Sequence, residues 1–471
     1  MTTEQQVPDF FLRRTLHAAT ALMAIALVHA APGATTARAD DILVRDVGLV
    51  DVTTGQVRAK SDILVRGERI AAIGATGSTP PAGARVVEGS GRFAIPGLSE
   101  MHAHVPPPAE QRALGEDYLR LYVANGVTTI RGMLGAPWHL QLRDDIAQGR
   151  VLGPRFFAGA PSLNGNSAPD AATAQRLVRE HEAAGFDFLQ LHPGLEREVF
   201  DAIVATAREV GITFAGHVSE DVGIEHALAA RQSTVDHLDG YLNALADAEC
   251  RQSRGAGFFA IGLVDCMDEK RIAPLVRQTK EAGTWNVATQ SLLDKFAEPP
   301  ASVEALRARP EMKYMAPQTA ANWFNAQRNF AGGQPPNAAQ VARFLDLRRK
   351  LLHALDAAGA PLLVGADSPQ IFNVPGFASH DELASLVRAG ISPRVALHAA
   401  TVNAARLFGR EKDFGSLEAD RIADLVLLDA NPLEDIANTR RIAGVMLRGR
   451  WFSRQDLDAM LADVAERAAK R

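Results

Sequence analysis

The chain has 471 residues, 47% of them hydrophobic and 22% charged, proportions of a globular protein with one large domain and a smaller one, not of a disordered chain. Fifty Lys and Arg against 55 Asp and Glu leave a net charge of −5, which offers no basic field to a nucleic acid. The two cysteines, Cys250 and Cys266, are too few for a zinc site built on thiolates.

Residues 1–39 read as an export signal. Arg13 and Arg14 precede an uncharged run, 15–31, rich in Ala, Leu, Met and Ile, and Ala37-Arg38-Ala39 supplies a small-x-small cleavage site. The run falls short of the roughly 20 residues of a spanning helix, so removal is expected in preference to a retained anchor. The arginine pair suits the general secretory route or the twin-arginine route. The expected destination is the periplasm of a bacterium or its medium. No later segment reads as a membrane span. In an oxidising compartment Cys250 and Cys266 can pair across a turn-rich stretch or remain two thiols, and the spacing favours neither.

From residue 41 the runs 42–47, 62–66 and 69–73 are short, β-rich and separated by Gly and Asp, as in an antiparallel meander. The period then changes. Apolar strands at 93–104, 127–133, 155–160, 188–192, 212–218, 234–238, 284–289 and 361–367 alternate with helical patterns such as 195–210 and 383–389. Eight strands so alternating over residues 93–411 predict an α/β fold, a (β/α)8 TIM barrel. The competing doubly wound sheet lacks its signature, because no G-x-G-x-x-G follows any of these strands. The stretches 241–281 and 292–337 exceed a normal strand-to-helix connection and are expected to shape a pocket or form a lid. The meander texture returns at 423–429 and 445–450. Neither end alone has strands enough for a stable core, so residues 40–92 and 412–471 are expected to build one composite β-sandwich domain.

Ligand-type residues sit at the strand ends. His102-Ala103-His104 closes the first barrel strand, and alternate strand residues face one way, so the two imidazoles can point at one metal. An H-x-H is a weak signal alone; its place at the carboxyl end of a barrel strand, where such barrels hold their active sites, strengthens it. His217 after Phe214-Ala215-Gly216, His237 after Val235-Asp236, and Asp367 after Val364-Gly365-Ala366 occupy the same end of later strands. A single histidine there is more often an ordinary satisfied polar residue. Four histidines and an aspartate at matching strand ends are not accounted for that way, and imidazole with carboxylate suits Zn²⁺ and similar ions.

These residues, together with 94–104, 185–192, Gly216-His217-Val218, Asp236-His237, Gly365-Ala366-Asp367-Ser368 and 415–433, resemble the amidohydrolase superfamily. In texture the chain is similar to its imidazolonepropionase-like and Xaa-Pro dipeptidase-like hydrolases, over nearly all of its length after the leader. The resemblance implies a divalent ion, expected to be zinc, held by His102, His104 and Asp367, with His217 and His237 completing one or two sites. The chain departs from the family in one place. Members with two metals carry a lysine at the end of strand four whose carbamate bridges the ions, and Gln190, in Phe188-Leu189-Gln190-Leu191-His192, stands there instead. Two cations about 3.5–4 Å apart need bridging anions, so one ion is expected rather than two. His192 faces the same side and is expected to contact substrate or fill the barrel mouth.

The chemistry so implied is attack of an activated water on an amide-type carbonyl. Asp367 would take the water's proton and return it to the leaving amine, with His237 as an oxyanion donor if a second metal site stays unfilled. Export favours a dipeptide or N-acyl amino acid as substrate. Opening of a cyclic amide or lactone and deamination of a ring are the alternatives. A non-catalytic binding protein on a decayed hydrolase fold is the alternative of another class. Tyr241, His380 and Arg131 are candidates for substrate contact, each set against a packing, helix-capping or ion-pair role; Trp285 and Trp323 are expected in the core. The expected partner is a small-molecule substrate, with no nucleic acid, no membrane once the signal is removed, and self-association left open.

Overall fold

The computed structural model describes residues 41–297, 300–330 and 336–471, so the leader expected at 1–39 lies outside the described residues. Three antiparallel strands open the chain: β1 (Ile42–Val50), β2 (Val57–Arg66) and β3 (Arg69–Ala75). Their register sets Val44 opposite Ile63 and Ile63 opposite Ile73, the apolar set that period-two alternation puts on one face. β4 (Arg85–Glu88) and β5 (Phe93–Pro96) then pair in parallel with β1.

Eight shorter strands follow: β6 (Leu98–His104), β7 (Val127–Met133), β8 (Arg155–Ala158), β9 (Leu189–Leu191), β10 (Phe214–Gly216), β11 (Thr234–Asp236), β12 (Trp285–Val287) and β13 (Leu362–Leu363). They pair in parallel as β6-β7-β8 and as β9-β10-β11-β12-β13. Two seams close the pieces into a barrel. At one, Gly159 pairs with Phe188 and Ala160 N donates to Phe188 O at 2.9 Å; at the other, Met101 N and His104 N donate to Val364 O and Ser368 O, both at 2.8 Å. Helices cover the outside, and Arg197–Val210 shows why: Val199, Phe200, Ile203, Val204 and Ala207 form its buried face, and Gly211 at φ +81° ends it.

β14 (Leu425–Leu428), β15 (Ile442–Leu447) and β16 (Arg450–Ser453) return to the first sheet, whose order becomes β16-β15-β14-β5-β1-β2-β3 with β4 beside β1. Ile70 N donates to Arg421 O, and Ala423 N to Glu68 O, so the β3 edge meets the segment that leads into β14. The sheet is curled across Val44, Ile63, Ile70, Leu427, Met446 and Trp451. Both chain ends therefore share one core.

One expected strand divides. Residues 93–104 read as a single barrel strand, but β5 joins the terminal sheet, with Ile95 opposite Val426, and only β6 enters the barrel. The division falls at Gly97, where a Cβ would come within 2.1 Å of Thr128 Oγ1 on β7. Only glycine leaves room there for the Thr128 side chain.

The two long stretches are mostly helical. Tyr241–Leu245, Ala248–Ser253, the 3-10 turns Phe258–Cys266 and the helix Ile272–Ala282 fill the first, and Cys250 is disulfide-bonded to Cys266 with Cα atoms 6.5 Å apart. The second carries Gln290–Phe296, Pro300–Arg307 and Pro317–Phe330. Asp381 ties it down, with Lys295 Nζ at 2.6 Å and Arg309 Nη2 at 2.9 Å. No helix among the described residues is long and apolar enough to cross a membrane.

Candidate metal centre

Alternation at the end of β6 puts His102 and His104 on one side of the strand, after a register shift against β7 between Glu100 and Ala103. At the ends of β11 and β13 the chain turns sharply, with His237 at φ +61° and Asp367 at φ +57°. A non-glycine residue in that region costs about 1–3 kcal/mol, a strain that gathers at functional sites. The result is convergence. His102, His237 and Asp367, all buried, each offer a ligand atom within 4.8 Å of the others. Asp367 Oδ1 lies 3.7 Å from His102 Nε2 and 2.7 Å from His104 Nε2. The His217 ring is centred 4.6 Å from that of His237, and the His192 ring 4.5 Å from that of His217. The structure thus brings together all five expected metal-site residues and places His192 beside them.

Each ring is held by its other nitrogen. His102 Nδ1 bonds Asp236 Oδ2 at 2.8 Å, His217 Nδ1 bonds Asp239 Oδ2 at 2.6 Å, and His237 Nδ1 bonds Thr289 Oγ1 at 2.8 Å. Such a bond fixes the ring's tautomer and leaves Nε2 as the ligand atom. His192 Nδ1 bonds Ser162 Oγ at 2.8 Å. His104 is turned the other way: its Nε2 meets Asp367, and its buried Nδ1 has no partner.

The electrostatics favour the ligating forms of His102, His237 and Asp367. Burial pushes His102 below the ordinary imidazole value against the pull of Asp367 and Asp236, and burial with the nearby His217 and His102 pushes His237 well below it. Burial opposes ionisation of Asp236 and Asp367. Arg131 and His102 outweigh it at Asp236, and His102 and His104 outweigh it at Asp367, so both carboxyls stay well ionised. Burial also opposes charge on His217, but Asp239 raises it. Behind the centre, burial pushes Glu100 up to about 8, although it accepts hydrogen bonds from Ala366 N, His102 N and Ser379 Oγ. His102 and His237 held neutral beside the buried, ionised Asp367 form a donor set that fits a divalent cation.

Gln190 is buried on β9, where its Oε1 accepts from Leu134 N and its Nε2 has no partner. The carbonyl oxygen is used, and an NH₂ group is a donor that cannot bridge two cations.

The structure moves three residues out of the expected substrate-contact group. Arg131 is buried inside the barrel with Nε on Met101 O, Nη1 on Thr234 Oγ1 and Nη2 on Asp236 Oδ2, so it positions Asp236 and has no fork left for a substrate anion. Tyr241 is buried, its hydroxyl on Thr279 Oγ1 and Asn286 Oδ1. His380 lies inside the helix Phe377–Arg388, bonded to Asn125 O and Thr439 Oγ1, and neither caps the helix nor faces the centre. Trp323 is core, as expected, and Trp285 packs half-buried against Met101 and Val287.

Sequence reasoning passed over Glu100, Asp239, Thr289 and Ser162, and noted Asp236 only as part of the Asp236-His237 motif, without a role. Glu100 escaped the period-two pattern because β6 shifts register against β7 between Glu100 and Ala103. Asp239 and Thr289 act from loops that only the folded barrel brings to their histidines.

A family model described as the amidohydrolase family matches residues 93–452. Adenine deaminase 3 of Rhizobium meliloti is 24% identical over 449 residues, covering 90% of this chain and 59% of that protein. Imidazolonepropionase of Rubrobacter xylanophilus is 26% identical over 409 residues, covering 82% and 87%. The chain spans only 53–59% of the length of the adenine deaminases of Rhizobium meliloti, Paracoccus denitrificans and Agrobacterium fabrum that it matches. Among solved structures, a bottromycin amidohydrolase superposes with TM-score 0.70 at 25% identity, covering 92% of this chain and 91% of that one. A Xaa-Pro dipeptidase with bound methionine superposes at 0.63 and 18% identity, covering 88% and 100%. With the family model spanning every barrel strand and the return of the terminal sheet, the chain belongs to the amidohydrolase family.

Proposed function

We propose that this protein is a metal-dependent hydrolase that cleaves an amide-type C–N bond in a small molecule of the dipeptide or N-acyl amino acid class. The observation that carries this reading is the convergence of His102, His237 and Asp367, with the two imidazoles anchored through Nδ1. These three, with His104 and His217 beside them, would hold the ion, expected to be zinc. When bound, the ion supplies Lewis acidity, lowering the pKa of water to about 7 and polarising a carbonyl. Asp367 handles the proton: its carboxylate, kept ionised by His102 and His104, accepts the proton of the attacking water and delivers it to the leaving nitrogen. His237, inside the donor cluster, serves as a ligand in this arrangement rather than as a separate oxyanion donor. Gln190 supports one ion in place of two, because nothing on β9 supplies a bridging anion. The Cys250–Cys266 disulfide supports an exported protein, since such bonds persist in oxidising compartments, and is in keeping with residues 1–39 as a removed leader.

The test is a metal analysis of residues 40–471 followed by turnover on a panel of dipeptides and N-acyl amino acids. The expected result is metal-dependent release of free amino acid, and a fall in kcat of about 10²–10⁴-fold in Asp367→Asn. A protein that takes up no metal on reconstitution and turns over nothing would instead be a binding protein on a decayed hydrolase fold. The similarity to adenine deaminases over 90% of this chain favours a second reading, removal of an amine from a ring. Ammonia release from adenine with no amino acid release from the panel would select it.

A further inference from the structure

We propose that Phe258, Phe259 and Phe296 form a substrate subsite for an apolar, preferably aromatic, side chain at the edge of the metal centre, and that the Cys250–Cys266 disulfide holds this subsite in place. The inference rests on reading the His102–His237–Asp367 cluster as the reaction centre, and it names the part of the substrate that lies beside that centre.

A ladder of rings leads outward from His237. The Phe259 ring is centred 5.6 Å from His237, the Phe258 ring 4.3 Å from Phe259, and the Phe296 ring 4.3 Å from Phe258 in a stacked arrangement. His237, Phe259 and Phe296 are at least half-buried, while Phe258 is 37% exposed and is the large apolar side chain that the described residues leave at the surface. Two loops at the same end of the barrel build the ladder. The loop after β11 supplies His237, Phe258 and Phe259. The segment after β12 supplies both Thr289, which anchors His237 Nδ1, and Phe296 at the end of the helix Gln290–Phe296.

The backbone that presents the rings is strained and clamped. Phe259 and Ala260 hold φ +49° and +66°, consecutive non-glycine residues in the left-handed region. Strain of that kind persists only where the surroundings over-determine it, and it clusters at ligand-binding segments. Three contacts do so here. The disulfide ties Cys266, the last residue of the segment, to the helix Ala248–Ser253. Gly262 N donates to Ala256 O at 2.9 Å, closing the loop on itself. Arg343 donates to Val264 O and Met267 O, each at 3.1 Å, from the same helix whose Arg348 donates to the carbonyl of His237 at 2.9 Å. One helix thus holds both the aromatic loop and the metal-site histidine. Rings offered at a barrel mouth next to a polar centre suit the side chain of a substrate whose amide lies over the ion.

The experiment compares N-acetyl-L-phenylalanine with N-acetyl-L-alanine, by kcat/KM and by calorimetric binding, in the wild type, Phe258→Ala, Phe259→Leu and Cys250→Ser/Cys266→Ser. Phe258→Ala changes an exposed ring and Phe259→Leu keeps apolar volume, so both are expected to fold, and a thermal melt checks this. The wild type is expected to prefer the phenylalanine compound by at least about tenfold, the effect of covering an aromatic ring. That ratio is expected to fall at least threefold in Phe258→Ala and in the disulfide variant, and less in Phe259→Leu. Turnover without a preference, or a preference that survives in Phe258→Ala and the disulfide variant, overturns the subsite and leaves the hydrolase reading standing. No turnover, but tighter binding of the phenylalanine compound that depends on Phe258, keeps the subsite and overturns the hydrolase reading. Neither turnover nor differential binding overturns the subsite.

Discussion

Asp236 is the residue on which the centre's geometry turns, and Asp236→Asn tests that. Three donors converge on its buried carboxylate: Arg131 Nη2 at 2.7 Å, His102 Nδ1 at 2.8 Å and Thr234 Oγ1 at 2.6 Å. The amide keeps the shape but loses the charge, and it presents an NH₂ group to neighbours that are themselves donors. Two effects follow. The first is on the metal: without an anionic partner the His102 ring is a weaker, less fixed ligand, and loss of such a partner costs about 10–100-fold in metal affinity, or about 1.4–2.7 kcal/mol. The second is on the fold: a buried guanidinium without its counter-charge costs about 3–5 kcal/mol. Chelator competition reads the first and denaturant unfolding of the metal-free protein reads the second.

The double variant Arg131→Met/Asp236→Asn separates them. Removing the stranded cation should recover most of the stability, because a buried ion pair replaced by apolar volume is often neutral. It should recover none of the metal affinity, since His102 still lacks its anchor. Wild-type metal affinity in Asp236→Asn, or recovery of affinity together with stability in the double variant, would refute the reasoning.

Further outcomes follow from other parts of the structure. Elemental analysis should find about one ion per chain in the wild type and about two in Gln190→Lys prepared with bicarbonate, since the lysine carbamate restores the bridging anion; two tightly held ions in the wild type would contradict the role given to Gln190. His380 is pushed down to about 3 by burial and by Arg440, so its contribution to stability is present above its unfolded value near 6.5 and is lost as pH falls toward 3. Relative to His380→Gln, the wild type should therefore lose up to about 1.4 kcal/mol per pH unit below pH 6.5, and parallel stability curves would show that the ring is not held neutral. Cys250→Ser/Cys266→Ser should lower the unfolding free energy by about 3 kcal/mol, the loop-closure value for a separation of this size, and an unshifted denaturant midpoint would show that the loop is as ordered without the bond.

The barrel was legible because its signals are local. Period-two strands between turn residues, helical spacing as in Val199, Ile203 and Ala207, and ligand-type side chains at the strand ends are all readable within about ten residues of chain. His102, His104, His217, His237 and Asp367 were singled out that way, and the structure clusters His102, His237 and Asp367 with His104 and His217 beside them. Arg131, Tyr241 and His380 were not separable from site residues by the same method, because Arg131 and Tyr241 lie close to strand ends and His380 lies at the start of the helix that follows the last barrel strand. What removes them is burial against specific partners, Asp236, Asn286 and Asn125, that are distant in sequence.

Sequence alone therefore determined the strand count, the residue types at the barrel mouth and the absence of a carbamate lysine at Gln190. Tertiary structure decided which nitrogen of His102, His217 and His237 faces the centre, because Asp236, Asp239 and Thr289 reach their rings only once the barrel has closed. It also decided that β5 leaves the barrel for the terminal sheet, where Ile95 meets Val426 more than three hundred residues away, and that Cys250 and Cys266 pair. The physical reason is common to all three. Hydrophobic period is written into neighbouring residues, whereas tautomer, strand partner and disulfide depend on which distant groups lie within about 3–6 Å, and that proximity exists only after folding.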